Sequence, residues 1–457
     1  MSRNPCIGSD LVADVVADRV RAQPLTRPTN VVFGLKNDYD MHITYRVAWL
    51  GVEKAGSEVY DDHVMSFDQL RWYSDAVMEN NPNGYINLDF QQQTGRFVWY
   101  FISFRTYING FKHCRPLLFL DDTFLKGRFK GNLLAATAMD GNQGLFPVAF
   151  AIVDSENAAN WEWFLRQLSE VVDHGRNLTF VSDRHIGLLQ SMSKFFLLAH
   201  HAFCLIHLQM NLRDRMKYVN AKQKLGLMRK LRECAYVPTV TSFNLKIEVL
   251  KLCSPVVVGE FLKDLDPKHW ANTHFGGRRY GEMSSNAAES FNNWIREARH
   301  LPIMQLVDAI RGQTMEQMLK RQVKGNKWVG QLCPKIEKKL EAEYKTSKPW
   351  IVKRFPCSHA VVSFQNSGRN IYDSIEPYYH VSEFKASYSE SIHSIPTVEK
   401  PIATPIDYLI APPVVKRSSG RPKRKRIPSR GEVVQRIRCG RCGKMGNHNM
   451  KTFKEPI

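Results

Sequence analysis

Apolar residues follow two periodicities along this chain, and the switches between them divide it into blocks. From Ile43 to Met78 the spacing is helical. In ITYRVAWLGVEKA, Val47, Trp49, Leu50 and Val52 fall near one face, and SFDQLRWYSDAV opens with Ser66 in an N-cap role. NPNG at 81–84 marks a turn, after which YINLDF and RFVWYFISF read as strands. The next block is the most regular. LLFLDDTFL is a strand, and GNLLAATAMDGNQGLFPVAFAIV is two strands joined by a turn at Asp140–Gly144. NAANWEWFLRQLSEVV follows as an amphipathic helix, with Trp161, Phe164, Leu165, Leu168 and Val171 at i, i+3, i+4 spacing. LTFVSD is a further strand, GLLQSMSKFF a helix and AHHAFCLI a last strand. The order β-β-β-α-β-α-β predicts a mixed α/β fold, a sheet with helices packed on it.

The flanks are less regular. Residues 1–40 have weak periodicity and are expected to be loosely ordered, ahead of a helical and strand region at 41–110. The sheet domain spans 111–325, with a helical, basic insertion at about 209–268 that delays the return at WANTHFGGRRYGEMSSNAAESFNNWIREA. Helical, charge-rich sequence runs to about Tyr344 and opens a segment at 326–385. The stretch 386–457 is rich in Ser, Pro, Lys and Arg and is expected to be a disordered basic tail.

Charge narrows the partners. The 457 residues carry 64 Lys and Arg against 44 Asp and Glu, a net charge of +20 that favours a polyanion, above all nucleic acid. No run approaches the length of a bilayer span, and the first apolar stretch is broken by Asp10, Asp14 and Asp18. A soluble, intracellular protein without a membrane partner is expected. The nine cysteines are too scattered for a secreted disulfide framework; only Cys204, Cys357, Cys439 and Cys442 have a His or Cys at metal-ligand spacing.

Three carboxylates carry the candidate chemistry. Asp121 lies in PLLFLDDTFLKG and Asp183 in LTFVSDRHIGLL, both at the ends of core strands; Glu289 lies in SSNAAESFNNWI, a helical pattern opened by Ser284, Ser285 and Asn286. Acidic side chains at such strand ends are costly to bury unless something positive binds them. From one sheet edge the three could hold two divalent ions about 3.5–4 Å apart, one activating water or a 3′-hydroxyl and the other stabilising the leaving oxygen. Taken singly, each acid could equally be a cap or a surface group.

The runs FLDDTFLKGRFKGNLLAATAMDGNQGLFPVAFAIVDSENAANWEWFL, VSDRHIGLL, FCLIHLQMN and RYGEMSSNAAESFNNWIREARHLPI together resemble plant Mutator-like transposases of the MuDR type, over roughly residues 43–360. The resemblance implies a ribonuclease H-like domain with a DDE triad, in which Asp121, Asp183 and Glu289 bind Mg²⁺ or Mn²⁺, cleave DNA element ends and transfer strands. The family usually has Gly after the first aspartate, where this chain has Asp122, so Asp122 stands as an alternative ligand to Asp121. The family also carries a pair matching Cys204 and His207, which could serve zinc, structure or DNA positioning.

Three tail elements also resemble family features. Cys357 and His359 in FPCSHAVV match the second half of a SWIM-type zinc finger whose first half is absent. Cys439, Cys442 and His448 in CGRCGKMGNHNMKTF match a degenerate zinc knuckle, with Phe453 where the last cysteine belongs, so Zn²⁺ binding there would be incomplete. Gly420-Arg421-Pro422 resembles an AT-hook core for A·T-rich DNA, and Arg421 with Lys423, Arg424, Lys425 and Arg426 also forms a nuclear-import signal or a solvated basic linker. Family members carry an N-terminal domain ahead of the helical region, and a chain beginning nearly there is expected to lack it. The resemblance therefore leaves two readings: an active nuclear transposase working as a homo-oligomer, or a truncated or domesticated, catalytically inactive DNA-binding and zinc-binding regulator. A third, a ribonuclease H-like nuclease unrelated to transposition, is disfavoured by the run around Glu289.

Overall fold

The run LLFLDDTF becomes an interior strand of a seven-stranded sheet. The structure is a computed structural model that describes residues 7–344 except 23–25, 60–64, 128, 174 and 217–218, together with 370–395, 410–413, 437–438 and 445–446. The sheet comprises β1 (Tyr85–Gln91), β2 (Arg96–Ser103), β3 (Leu117–Phe124), β4 (Asn132–Met139), β5 (Leu145–Val153), β6 (Thr179–Ser182) and β7 (His200–Phe203). Their order is β1-β2-β5-β4-β3-β6-β7. β4 pairs antiparallel with both β3 and β5, while β3, β6 and β7 run parallel. The mixed α/β prediction holds, and the five strands β5-β4-β3-β6-β7 are compatible with a ribonuclease H-like sheet. Leu117, Leu118, Phe119 and Leu120 are all buried, as expected of a strand covered on both faces. The β4–β5 turn forms where expected, closed by Asp140 Oδ1, which accepts the N–H groups of Asn142 (2.9 Å) and Gly144 (2.7 Å).

Fifteen α-helices accompany the sheet among the described residues. The first forty, expected to be loosely ordered, instead contain α1 (Ser9–Ala22) and α2 (Pro28–Tyr39), which pack with α3 (Tyr45–Val59) around Val12, Val16, Val20, Val31, Leu35, Ala48 and Ala55. Val12, Val16 and Val20 recur every fourth residue, as do Asp10, Asp14 and Asp18, so one face is apolar and another acidic. Helices this short are marginal alone, and shared packing stabilises them. Ser66 also departs from expectation. It lies inside the first turn of α4 (Met65–Asn80), and its hydroxyl accepts the N–H of Met304 (2.9 Å), satisfying the start of a distant helix.

Helix α5 (Arg105–Lys112) precedes β3. Helices α6 (Ala158–Val171) and α7 (Ile186–Phe195) lie between the parallel strands in sequence, and Asn157 caps α6 by accepting the Asn160 N–H at 2.9 Å. The chain then leaves the sheet through α8 (Leu205–Arg215), α9 (Ala221–Tyr236), α10 (Val240–Cys253) and α11 (Pro255–Lys263). These share a separate core of Leu208, Leu212, Leu231, Leu250, Phe261 and Trp270. The return is through α12 (Asn286–Trp294), α13 (Ile303–Asn326), α14 (Pro334–Tyr344) and α15 (Val381–Ser387). No helix among the described residues is long and apolar enough to cross a membrane. Residues 414–457 form a separate unit, described only where β8 (Ile437–Arg438) pairs antiparallel with β9 (Met445–Gly446).

Candidate active site

Asp121 and Asp183 stand at one level on neighbouring strands. β3 and β6 are parallel, with Leu117 opposite Thr179 and Phe119 opposite Val181, the same offset that separates Asp183 from Asp121. Asp121 lies within β3, and Asp183 directly follows the last residue of β6. Adjacent strands are about 4.8 Å apart, so register alone brings the two acids together. His185 donates its backbone N–H to Asp183 Oδ1 at 3.1 Å, and the His185 ring caps α7 by accepting the Gly187 N–H at 3.1 Å.

The surroundings of these aspartates are strongly acidic. Burial pushes the Asp121 carboxyl up to about 7, helped by the charges of Asp122 and Asp183 and opposed by His207. Burial also raises Asp122, although Asn132 Nδ2 donates to its Oδ2 at 2.6 Å. A fourth acid, Glu156, is raised by burial and by Asp122 and Asp183, while Trp161 Nε1 donates to it at 3.1 Å. The strand-end acids thus sit in a field that favours an added positive charge.

Cys204 and His207 face these aspartates. Burial alone would push the Cys204 thiol up, yet the adjacent His207 and Ser285 bring it down to about 7. Interaction with Cys204, against burial and with help from Asp121 and Asp183, pushes His207 up to about 9. Cys204 also closes the insertion. The Ser285 N–H donates to its sulfur at 3.3 Å, and the neighbouring Leu205 N–H donates to the Met283 carbonyl at 2.8 Å. The residues entering and leaving the helical excursion are thereby joined, which sets where α12 begins.

On α12 it is Asn292 that meets the aspartates. Its Nδ2 donates to Asp121 Oδ2 at 2.9 Å and to the Asp122 carbonyl at 3.3 Å, while its buried Oδ1 has no partner. Glu289, one turn earlier on the same side of the helix, is solvent-exposed. Among the described residues, no three His, Cys, Asp or Glu side chains are grouped so as to hold a metal ion. The two aspartates have the hard-oxygen chemistry and the unrelieved repulsion that suit a divalent cation. A third ligand is not assembled with them here.

Cys357, His359, Cys439, Cys442, His448, Arg421 and Lys423 to Arg426 lie outside the described residues. Asn292, Glu156 and Asn132 were not anticipated. Asn292 did carry a signal, standing three residues after Glu289 and hence on the same helical side, whereas Glu156 and Asn132 meet the site only through the folding of loops and strands.

A mixed α/β domain whose sheet is compatible with a ribonuclease H-like one, with a cluster of acids on adjacent parallel strands, is the class that fold and site define. Within it, residues 117–211 match the MULE transposase domain, a Mutator-like family, so the chain carries such a domain from the start of β3 into α8. No curated protein matched the chain.

Proposed function

We propose that the chain is a DDE-type transposase that hydrolyses the ends of a DNA element and joins the freed 3′-hydroxyls to target DNA. The observation that carries this is the common level of Asp121 and Asp183 on parallel strands, inside a segment matching a transposase domain. Asp121 and Asp183 would hold Mg²⁺ or Mn²⁺, and Glu289, one turn before Asn292 on α12, would join them. Such ions supply Lewis-acid activation of the attacking oxygen and stabilise the leaving one. In the first step water attacks phosphorus and the 3′-oxygen departs, taking a proton. In the second that 3′-hydroxyl attacks a target phosphodiester and displaces another 3′-oxygen. His207, drawn toward its charged form, sets a cation beside the acids where a phosphate approaches. Holding two ends together calls for a homo-oligomer, and the basic run from Arg421 to Arg426 suits nuclear import and A·T-rich DNA.

A specific observation favours a second reading. With Glu289 exposed and Asn292 on the Asp121 oxygen, the site suits a catalytically inactive, DNA-binding descendant of a transposase. Strand transfer with a labelled terminal-repeat end and Mn²⁺ decides between them. Product from the unaltered chain, lost in Asp183→Asn at unchanged stability, is expected. No product from the unaltered protein on any candidate end would leave only the binding reading.

A further inference from the structure

We propose that the mouth of the aspartate site is a platform for an unpaired DNA nucleotide, whose base stacks on Phe124 while Lys126, Lys130, Arg296 and Arg299 hold the adjoining phosphates. This rests on the reading that the substrate is DNA. Phe124 ends β3 two residues beyond Asp122, whose sheet face it shares, and therefore about 7 Å along the strand from it. Its ring is 69 % exposed, in a strand whose other apolar residues are buried.

The backbone beyond β3 gathers cations next to the strand end that carries the ring. Arg299 bonds the Thr123 hydroxyl and donates to the Phe124 carbonyl at 3.4 Å. The Arg299 carbonyl in turn accepts the N–H groups of Lys126 (2.8 Å) and Gly127 (3.1 Å). Lys130 Nζ reaches the Lys126 carbonyl at 3.2 Å, and Lys126, Lys130 and Arg296 are exposed. None of the four has a carboxylate partner among the described residues. Exposed cations elsewhere commonly do, as in Lys194–Glu162 (2.9 Å) and Lys246–Glu233 (3.1 Å). Half-buried His300 registers the resulting field, since burial together with Lys126, Arg299 and Lys130 holds its imidazole down at about 4.

An exposed ring among unpaired cations is poorly suited to an apolar protein partner. It does suit a strand that offers both a flat base and charged phosphates. A duplex keeps its bases stacked on one another, so only an unpaired nucleotide can use the ring.

The test is fluorescence anisotropy on the full chain with metal chelated, so that binding is read without cleavage. It compares blunt duplex ends with ends carrying unpaired 3′ nucleotides. The unaltered protein should prefer the unpaired end by about tenfold, the scale of one base–aromatic stack. Phe124→Leu, which keeps an apolar side chain without a π face, should abolish that preference, and Phe124→Tyr should retain it. The pair Lys126→Ala and Lys130→Ala should reduce the salt dependence of unpaired-end binding by about 0.7 in log–log slope per cation. The platform is overturned by equal binding of both ends, by a preference that survives Phe124→Leu, by an unchanged salt slope, or by tighter binding of the matching RNA. Loss of strand transfer with the preference intact would count against the transposase reading alone. Strand transfer without the preference would count against the platform alone.

Discussion

The strand-borne aspartates and the helix-borne glutamate are positioned by different routes, and their surroundings differ accordingly. Asp121 and Asp183 are placed by a single register between β3 and β6, so locating one locates the other. They sit in a buried, mutually repelling field. Glu289 arrives only after the chain has passed through four helices with their own core. Its position depends on the Cys204–Ser285 and Leu205–Met283 bonds, and its side chain is exposed. A sheet register fixes ligands rigidly; a helix returning from an insertion is only as well placed as the contacts that hold its first turn.

The largest expected effect would break that contrast. If Glu289 joins the aspartates in the working complex, Glu289→Gln should lower strand transfer at least about a hundredfold, the scale of losing one transition-state electrostatic contact. Its melting temperature should not change, because the side chain is exposed. An unaffected rate would show that the helix contributes no acid.

Asn292→Ala should reduce strand transfer about 10- to 100-fold, as when a group orienting a metal ligand is removed. Asn292→Gln, which can still donate, should recover part of it. A raised Mn²⁺ requirement, read by titrating the ion, would mark an orienting role that loss of packing alone would not produce.

Asp121→Asn should separate stability from activity. The folded carboxyl titrates near 7 rather than 3.8, so the folded state holds its proton more tightly than the unfolded chain. The associated stability is present at low pH and is lost as pH rises from about 4 through about 7. Without metal, the Asn variant should therefore be more stable by up to about 4 kcal/mol above that window, while strand transfer is abolished. Urea unfolding at about pH 5 and about pH 8 measures this; an equal difference at both would discount the repulsion.

The smallest effect is expected at the clasp. Cys204→Ala should cost about 1–2 kcal/mol through a small cavity and a lost bond to the Ser285 N–H. Amide exchange should speed up at the start of α12 and leave β3 unchanged. Equal acceleration in both would mean that the insertion and the sheet open together.

Much of the sheet was legible because its signals are local. LLFLDDTFL, the β4–β5 pair with its Asp140 turn, and LTFVSD each declare a strand through a few neighbouring residues. The helical insertion was legible as a change of composition. The N-terminal helices were not, since Val12, Val16 and Val20 gain their meaning only when α1, α2 and α3 share a core. Ser66 misled for a similar reason: a hydroxyl ahead of an apolar run signals a cap, but its N–H partner, Met304, belongs to another helix.

By itself the amino-acid sequence determined which strands form and that Asp121 and Asp183 belong to two of their runs, because strand formation and burial follow from short runs of side chains. Asp121, expected at a strand end, lies inside β3, which continues to Phe124. The sequence also put Glu289 on a helix, which is α12. Only the tertiary structure decided what meets what. The β3–β6 register set the aspartates level, the clasp at Cys204 set the start of α12, and packing put Asn292 rather than Glu289 on the Asp121 oxygen. Such pairings join residues far apart in the chain, and no local periodicity encodes the closure that brings them together.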